Sequence, residues 1–252
     1  MVPAYPSGRI RVPVIRYHFQ FRETIATILA DEQRYIDIAR SALMDARQEL
    51  ERYISGDPFF VSTLEPYRVD TGIRTVDLMS AAGVRAGVGP MAAVAGTLAM
   101  AGVAAMKDEG AEFAVIDNGG DIALVSDRPV RVGIYAGTAP VSGRSAFIVP
   151  PKEDVFGICT SSATVGPSIS FGTADAVTVF SPDVALADAW ATSLCNLISP
   201  DNTRCLETVD PASVEGVFAV MGRRTVSWGN VPPITAAQVD EALITAGYLY
   251  RA

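Results

Sequence analysis

The chain of 252 residues is 49% hydrophobic, and its 28 acidic and 20 basic side chains give a formal charge of −8. This length can bury one large core or two small ones, and we expect a single domain over residues 1–252 because no Pro/Gly/Ser-rich linker divides the sequence. The acidic charge excludes the electrostatic footprint of a nucleic-acid partner or of binding to an anionic membrane.

The three cysteines and the single histidine limit the chemistry further. Cys159, Cys195 and Cys205 are odd in number and no pair is spaced as C-x-x-C, which favours free thiols in a reducing cytoplasm. The start, MVPAYPSGRIRV, lacks the apolar h-region of a signal peptide, so we expect a cytoplasmic location. His18 lies in VIRYHFQF, which alternates like a strand. A zinc site built on several histidines is therefore excluded, and a structural role is favoured for His18.

Five segments have the periodicity or the end signals of helices. The clearest is residues 31–54, where acidic residues lead and basic ones follow, as the helix dipole favours. Thr235 and Gln238 are spaced as a capping box and predict a last helix that ends at Gly247. The predicted helices cover residues 31–54, 76–82, 90–106, 183–198 and 235–247.

The apolar stretch AGVGPMAAVAGTLAMAGVAAM, residues 86–106, raises the question of a membrane segment. It has 21 residues without a charge, which is long enough to span a bilayer. Most of them are Ala and Gly, which gain little from hydrocarbon, and Pro90 suits the first turn of a helix that begins at Gly89. We therefore expect a helix over 90–106 that is buried in a protein core, with small residues that let a sheet or another helix approach closely.

Apolar alternation predicts a series of strands between and after the helices. Strand pairs joined by turns and separated by single long helices indicate an α+β domain with largely antiparallel sheet. A loop is expected over residues 58–72. The predicted strands lie within residues 8–22, 21–31, 112–117, 121–126, 131–137, 144–150, 155–161 and 175–181, followed by a hairpin from 214–222 and 225–230.

The stretch VIDNGGDIAL places polar residues between two apolar strands. Asn118-Gly119 is typical of a type I′ hairpin turn, which explains the glycines. It explains Asp117 and Asp121 less well, because carboxylates at strand ends repel unless they are solvated or share a cation or donors. The stretch is either an ordinary hairpin tip or one wall of a ligand site, in which the glycines let the backbone approach the ligand and Asp121 touches it.

Asp188 and Thr192, in ALADAWATSLCN, stand four residues apart and share a helix face. Both offer oxygen, the ligand type of Mg²⁺ or Ca²⁺. The alternative is a helix packing face with one exposed acid.

Two glycine-rich loops are further candidates for ligand binding. GVGP, with Gly87 and Gly89, precedes a helix and would present bare N–H groups to a phosphate, although it matches no nucleotide-binding motif. CTSSATVGPSIS, residues 159–170, carries the hydroxyls of Thr160 and Ser161 and suits either a ligand loop or an ordinary one.

The order of these segments resembles the ApbE family, the FAD:protein FMN transferases. The match runs over residues 85–196, through GVGPMAAVAG, VIDNGGDIAL, VRVGIYAG, GICTSSATVG, DAVTVFSPD and ALADAWATSL. Within the family, the chain is most similar to a shorter branch with the signatures AGVGPMAAVAG and SxSFGxADAVTV. The resemblance implies an α+β fold in a single ApbE-like, T-fold-like domain, with antiparallel sheets and long packed helices.

The resemblance also implies a nucleotide ligand and a metal. FAD would lie beside the glycine turn and the NGGD turn, and Mg²⁺ would help to transfer FMN to a threonine hydroxyl of a protein acceptor. The metal ligands would be Asp188, Thr192 and a main-chain oxygen near Gly89. The cofactor-binding residues would be Gly87, Gly89, Asn118, Gly119, Gly120, Asp121, Thr160 and Ser161.

Two departures from the family pattern keep a second hypothesis open. The lysine of the family's G-x-x-K-G pattern is absent from GVGPMA, and the histidine of its H-I-I-D-P segment is absent from PSIS, residues 167–170. The first hypothesis is Mg²⁺-dependent FMN transfer or FAD hydrolysis. The second is a non-catalytic relative that binds a ligand or partner and acts as an accessory in sulfur assimilation and homocysteine formation. The apolar content favours a homo-oligomer in either case.

Overall fold

The computed structural model describes residues 13–164 and 172–239 and folds them into two antiparallel sheets and five α-helices. The predicted α+β class is thereby confirmed. The strands are β1 (Ile15–Phe21), β2 (Thr24–Ala30), β3 (Phe113–Asn118), β4 (Asp121–Ser126), β5 (Val130–Gly133), β6 (Ser145–Val149), β7 (Lys152–Ser161), β8 (Ala176–Ser181), β9 (Gly216–Met221), β10 (Arg224–Gly229) and β11 (Ile234–Ala236). The α-helices are α1 (Gln33–Gly56), α2 (Pro58–Ser62), α3 (Arg74–Ala86), α4 (Val94–Asp108) and α5 (Val184–Leu197).

The order of the strands produces three layers. Eight strands pair in the order β1-β2-β3-β4-β7-β8-β9-β10, and β11-β6-β5 form a separate sheet. Successive residues of a strand point to opposite faces of a sheet. Ile116 accordingly packs in the core with the helices, while the preceding Val115 packs in the core with the smaller sheet. The large sheet therefore lies between a helical layer and the small sheet.

The apolar helix α4 lies in the middle of the helical layer, in contact with α1, α5, β3 and β4. Leu98, Ala99 and Val103 are almost completely buried there. A Cβ at Gly102 would come within 2.4 Å of Cδ1 of Ile116, so the glycine favours close packing of the helix on the sheet. Among the described residues, Pro90–Asp108 is the one helical stretch that is long and apolar enough to cross a membrane, and half of it is buried inside the fold.

Most of the predicted helices are confirmed, and one predicted loop is wrong. The helices expected over 31–54, 90–106 and 183–198 correspond to α1, α4 and α5, although residues 90–93 form a 3-10 turn before α4. The helix expected over 76–82 is confirmed but longer, since α3 begins at Arg74 and continues to Ala86. The loop predicted from residue 58 instead begins with α2, since Pro58 fits the first helical position and Phe60 is buried.

Two predictions near strand ends are also wrong. Thr235 does not cap a helix, because it lies in β11 and pairs with Ala146 of β6. The remainder of that predicted helix, up to Gly247, lies mostly outside the described residues. The strand predicted over 131–137 ends at Gly133, where pairing with β6 stops.

Candidate functional site

The turn between β3 and β4 is made by Gly119 and Gly120. Their φ angles are +72° and +106°, and the flanking residues Asn118 and Asp121 are paired across the strands. The prediction that Asn118 and Gly119 form the turn is therefore wrong by one residue. Glycine adopts such angles readily, and the shift leaves Asn118 as the last residue of β3.

The one-residue shift gives the Asn118 side chain a structural partner. Asn118 is buried, and its Nδ2 donates a hydrogen bond of 3.0 Å to the carbonyl oxygen of Ala95. Ala95 belongs to the first turn of α4. The amide of Asn118 therefore ties the β3–β4 turn to the beginning of this helix.

Asp188 of α5 reaches the same helix end from the other side. Its Oδ2 accepts a hydrogen bond of 2.8 Å from the backbone N–H of Gly96. No side chain of the residue before α4 caps the helix, so the Asp188 carboxylate takes that role. The approach requires glycine, because a Cβ at Gly96 would lie 2.9 Å from the Cβ of Asp188. Asp188 is thus a buried acid, and the alternative of an exposed acid on a packing face is wrong.

Asp121, the first residue of β4, lies beside the end of β7. It pairs with Cys159, and its Oδ1 accepts a hydrogen bond of 3.2 Å from the backbone N–H of Thr160. Burial raises the pKa of Asp121 well above its ordinary value, and the charges of Asp188 and Asp117 raise it further. The two acids are therefore close enough to disfavour the ionisation of both at once.

Burial also shifts the other titratable groups of this cluster. It raises the pKa of Asp188 to about 7, against the opposing effect of the N–H donors of Gly96 and Ala95. The Cys159 thiol is completely buried, and its burial together with the Asp121 and Asp188 charges raises its pKa well above the ordinary value. A thiol held in its neutral form is a poor nucleophile, so this cysteine is a packing residue.

The glycine turn before α4 is less open than its sequence predicts. Gly87 ends α3 with a φ of +73° and is exposed, and a Cβ there would meet no atom within 4 Å. Gly89 is buried, and its N–H donates a hydrogen bond of 2.7 Å to the carbonyl oxygen of Leu64. The N–H of Val88 donates to Gly83. The expectation of bare N–H groups is therefore wrong for Gly89, whose small size serves close packing against residues 63–64.

The predicted hydroxyl residues differ in their surroundings. Thr160 and Ser161 lie at the end of β7 and not in a loop, and Thr160 Oγ1 is 2.9 Å from Thr178 Oγ1. Ser161 is buried, and Thr192 lies half-buried on α5, one turn after Asp188. The rest of the predicted loop includes residues 165–170, which lie outside the described part of the chain.

The structure thus brings part of the predicted set together around the first turn of α4. The members with direct contacts there or with one another are Asn118, Asp121, Thr160 and Asp188. Gly119 and Gly120 adjoin this group, while Gly87 and Gly89 lie on the far side of the 3-10 turn that leads into α4.

The sequence motifs do not identify two residues that take part in the cluster. Gly96 admits the Asp188 side chain, and Ala95 receives the Asn118 amide through its carbonyl oxygen. The available signal is a glycine inside a predicted helix, which marks a close approach by another element. The sequence does not reveal which element approaches.

The class of fold follows from comparison with solved structures. The apo flavinyl transferase ApbE of Pseudomonas stutzeri superposes with a TM-score of 0.60 at 13% identity, covering 93% of this chain and 97% of that one. The flavin transferase ApbE of Vibrio cholerae, as its H257G mutant, gives 0.58 at 14% identity, covering 85% of this chain and 97% of that one. At such identities the likeness establishes the ApbE fold alone.

The family is established by sequence. The family model described as "AbpE bacteria" matches residues 6–251, so the chain belongs to this family. It is 59% identical over 237 residues to a UPF0280 protein of Methanosphaerula palustris, covering 94% of this chain and 100% of that one. It is 61% identical over 235 residues to a UPF0280 protein of Methanoregula boonei, covering 93% and 99%. The resemblance drawn from the ordered motifs is thereby confirmed.

Proposed function

We propose that this chain binds a flavin nucleotide together with a divalent cation, and that it transfers FMN or hydrolyses FAD. The observation that carries the proposal is that Asp188, buried and bonded to the first turn of α4, lies close enough to Asp121 to raise its pKa, on an ApbE fold. The Asp188 charge raises the pKa of Asp121, so the two acids repel when both are ionised, and a bound cation would offset that repulsion.

The residues present fit Mg²⁺ chemically. A carboxylate has about four lone-pair sites, so Asp188 can hold a cation while it accepts from Gly96. Thr192 offers a hydroxyl one turn away, and the carbonyl of Gly89 keeps a second lone pair beside the bond from Ala92. All three are the hard oxygen ligands that Mg²⁺ prefers. The described residues contain no group of three or more His, Cys, Asp or Glu that could hold a metal, and the proposed set needs only one such side chain.

The neighbouring residues would orient the nucleotide. A Cβ at Gly119 would meet no atom within 4 Å, so a ligand can approach the turn closely. Asp121 follows this turn, and its Oδ1 accepts a hydrogen bond from the backbone N–H of Thr160. Mg²⁺, when bound, would supply positive charge to the pyrophosphate and favour departure of AMP. Asp188 would hold this cation at the helix end, where Asn118 fixes the position of the turn.

The test is thermal unfolding of the purified chain with FAD, with and without Mg²⁺. Ligand at one hundred times its dissociation constant stabilises the folded state by about 2.7 kcal/mol, so a bound nucleotide raises the midpoint. Asp188→Asn keeps an oxygen that can accept from Gly96 but removes the charge, and we expect it to abolish the Mg²⁺-dependent part of the shift.

A matched control is Asp183→Asn. Asp183 caps α5 five residues earlier and lies at the surface, so this variant loses the same charge and keeps a capping side chain. We expect it to behave as the wild type. No shift with near-saturating FAD would refute the flavin proposal, and a Mg²⁺ effect that survives in Asp188→Asn would refute the cation site.

A second candidate function, a non-catalytic relative acting as an accessory in sulfur assimilation and homocysteine formation, is favoured by the position of the only histidine. His18 lies on β1, separated from β4 by two strands and exposed at the edge of the large sheet. It cannot replace the family's histidine at the candidate site. Chromatography of FAD incubated with the chain and Mg²⁺ separates the candidates: release of AMP supports an enzyme, whereas intact FAD on a chain that binds it supports the accessory role.

A further inference from the structure

A second concavity lies between the β1–β2 turn, the C-terminal half of α1 and helix α2. It is a shallow concavity, largely open to solvent, with a volume of about 670 Å³. None of the predicted site residues lines it. Its lining combines the charged residues Arg22, Glu23, Arg47 and Glu51 with apolar residues that include Ile54 and Val61.

Arg22 has an unusual backbone conformation. It is the single non-glycine residue with a positive φ, +54°, in the part of the chain that the structure describes. Arg22 and Glu23 form the two-residue turn between β1 and β2, in which Arg22 takes the first position. In the β3–β4 and β9–β10 turns of the same sheet, this position is taken by Gly119 and Gly222, with φ values of +72° and +60°. An arginine thus stands where this chain otherwise uses glycine, which marks a site whose side chain is needed.

The ion pairs of the cleft leave Arg22 able to bind an anion. Glu51 is shared, since one oxygen contacts Arg22 at 3.1 Å and the other contacts Arg47 at 3.0 Å. Arg47 also pairs with Glu23 and is largely buried, so its charge is balanced. The Arg22 side chain remains 56% exposed, and its guanidinium lies 5.5 Å from the Phe21 ring. A guanidinium carries five N–H donors, and the ion pair with Glu51 engages few of them.

We propose that this cleft binds a small carboxylate with an apolar body. Arg22 would hold the carboxylate head, because the guanidinium fork matches its geometry. Ile54 and Val61 would contact the apolar body. The site is independent of the flavin site proposed above, since the two share no residue.

Calorimetric titration with phenylbutyrate and with the uncharged phenylbutanol tests the proposal. We expect saturable binding of the carboxylate, weaker binding of the alcohol, and a loss of about tenfold or more in carboxylate affinity in Arg22→Gly, because a charge-assisted hydrogen bond is removed. Arg223→Ala is the matched control: it removes the same charge from the exposed β9–β10 turn, at the opposite edge of the sheet, and should bind as the wild type.

Thermal unfolding of Arg22→Gly gives a second measurement. Glycine relieves the positive φ, and the exposed ion pair that is lost contributes little, so the midpoint should not fall. A lower midpoint would mean that Arg22 is retained for its ion pair and would overturn the proposal. Equal binding of acid and alcohol, unchanged binding in Arg22→Gly, or no binding of phenylbutyrate would overturn it as well.

Discussion

At the scale of single residues, the Asp188 carboxylate both accepts a helix N–H and is buried. It accepts the N–H of Gly96 at the start of α4, and it is buried beside a second acid, Asp121. The hydrogen bond favours the ionised form of Asp188, whereas burial favours the neutral form. Burial dominates, so the protonation of this pair contributes to the stability of the fold.

This competition predicts a pH dependence of stability in the absence of divalent cations. The pKa of Asp188 rises from 3.8 to about 7 on folding, so the folded chain binds more protons than the unfolded chain between these values. The contribution of this proton to the free energy of unfolding is complete below the pKa that Asp188 has in the unfolded chain. It is lost as the pH rises through the pKa in the folded chain, by up to about 1.4 kcal/mol per pH unit for one proton. We expect urea unfolding to show a falling free energy of unfolding from pH 5 to pH 7.

Asp188→Asn is the internal reference for this measurement. It cannot titrate, so its free energy of unfolding should change less across the same window. Asp154 and Asp210 have lowered pKa values and lose their contributions at more acid pH, outside the window. Parallel curves for the variant and the wild type would contradict the prediction.

At the scale of elements, the sequence predicts the helices whose positions depend on local residue patterns. The apolar periodicity of α1 and the small residues of α4 and α5 identify these helices, because a helix buries one face or all of its surface whatever its neighbours are. The position of the two-residue turn at Gly119 and Gly120 is harder to predict, since Asn-Gly and Gly-Gly both suit a type I′ turn. The register with β4 selects Gly-Gly, and that register is set by the pairing of whole strands.

The candidate site is predicted only as a set of separate segments. The sequence identifies Asp121 and Asp188 as candidate acids, but their proximity in the fold depends on how α5 packs against α4. Gly96 of α4 admits Asp188, and Gly157 of β7 lets α5 lie close to the sheet, since a Cβ there would come within 2.8 Å of Val184. Such contacts join residues far apart in the sequence. The order of motifs shared with a family identifies the residues more readily than spacing does.

At the scale of the whole molecule, the candidate site and the aromatic core under the small sheet lie on different sides of the large sheet. Asp188 belongs to the helical layer, whereas the small sheet packs on the opposite face through Phe147 of β6. The Phe147 ring makes edge-to-face contacts with Phe180 and Phe218, at centroid distances of 5.0 and 5.4 Å. Damage to this aromatic core should therefore lower the stability of the chain without changing the site.

Phe147→Ala tests this separation. Phe147 is 1% exposed, and truncation of a buried Phe to Ala lowers the free energy of unfolding by about 3–5 kcal/mol. Phe147→Leu keeps most of the volume and should lose less. We expect urea unfolding to show these losses in that order, while the FAD- and Mg²⁺-dependent stabilisation measured on the folded variants stays as in the wild type. A Phe147→Ala loss below about 1 kcal/mol would mean that the small sheet is dispensable to the core, since surface substitutions change stability by about that amount or less.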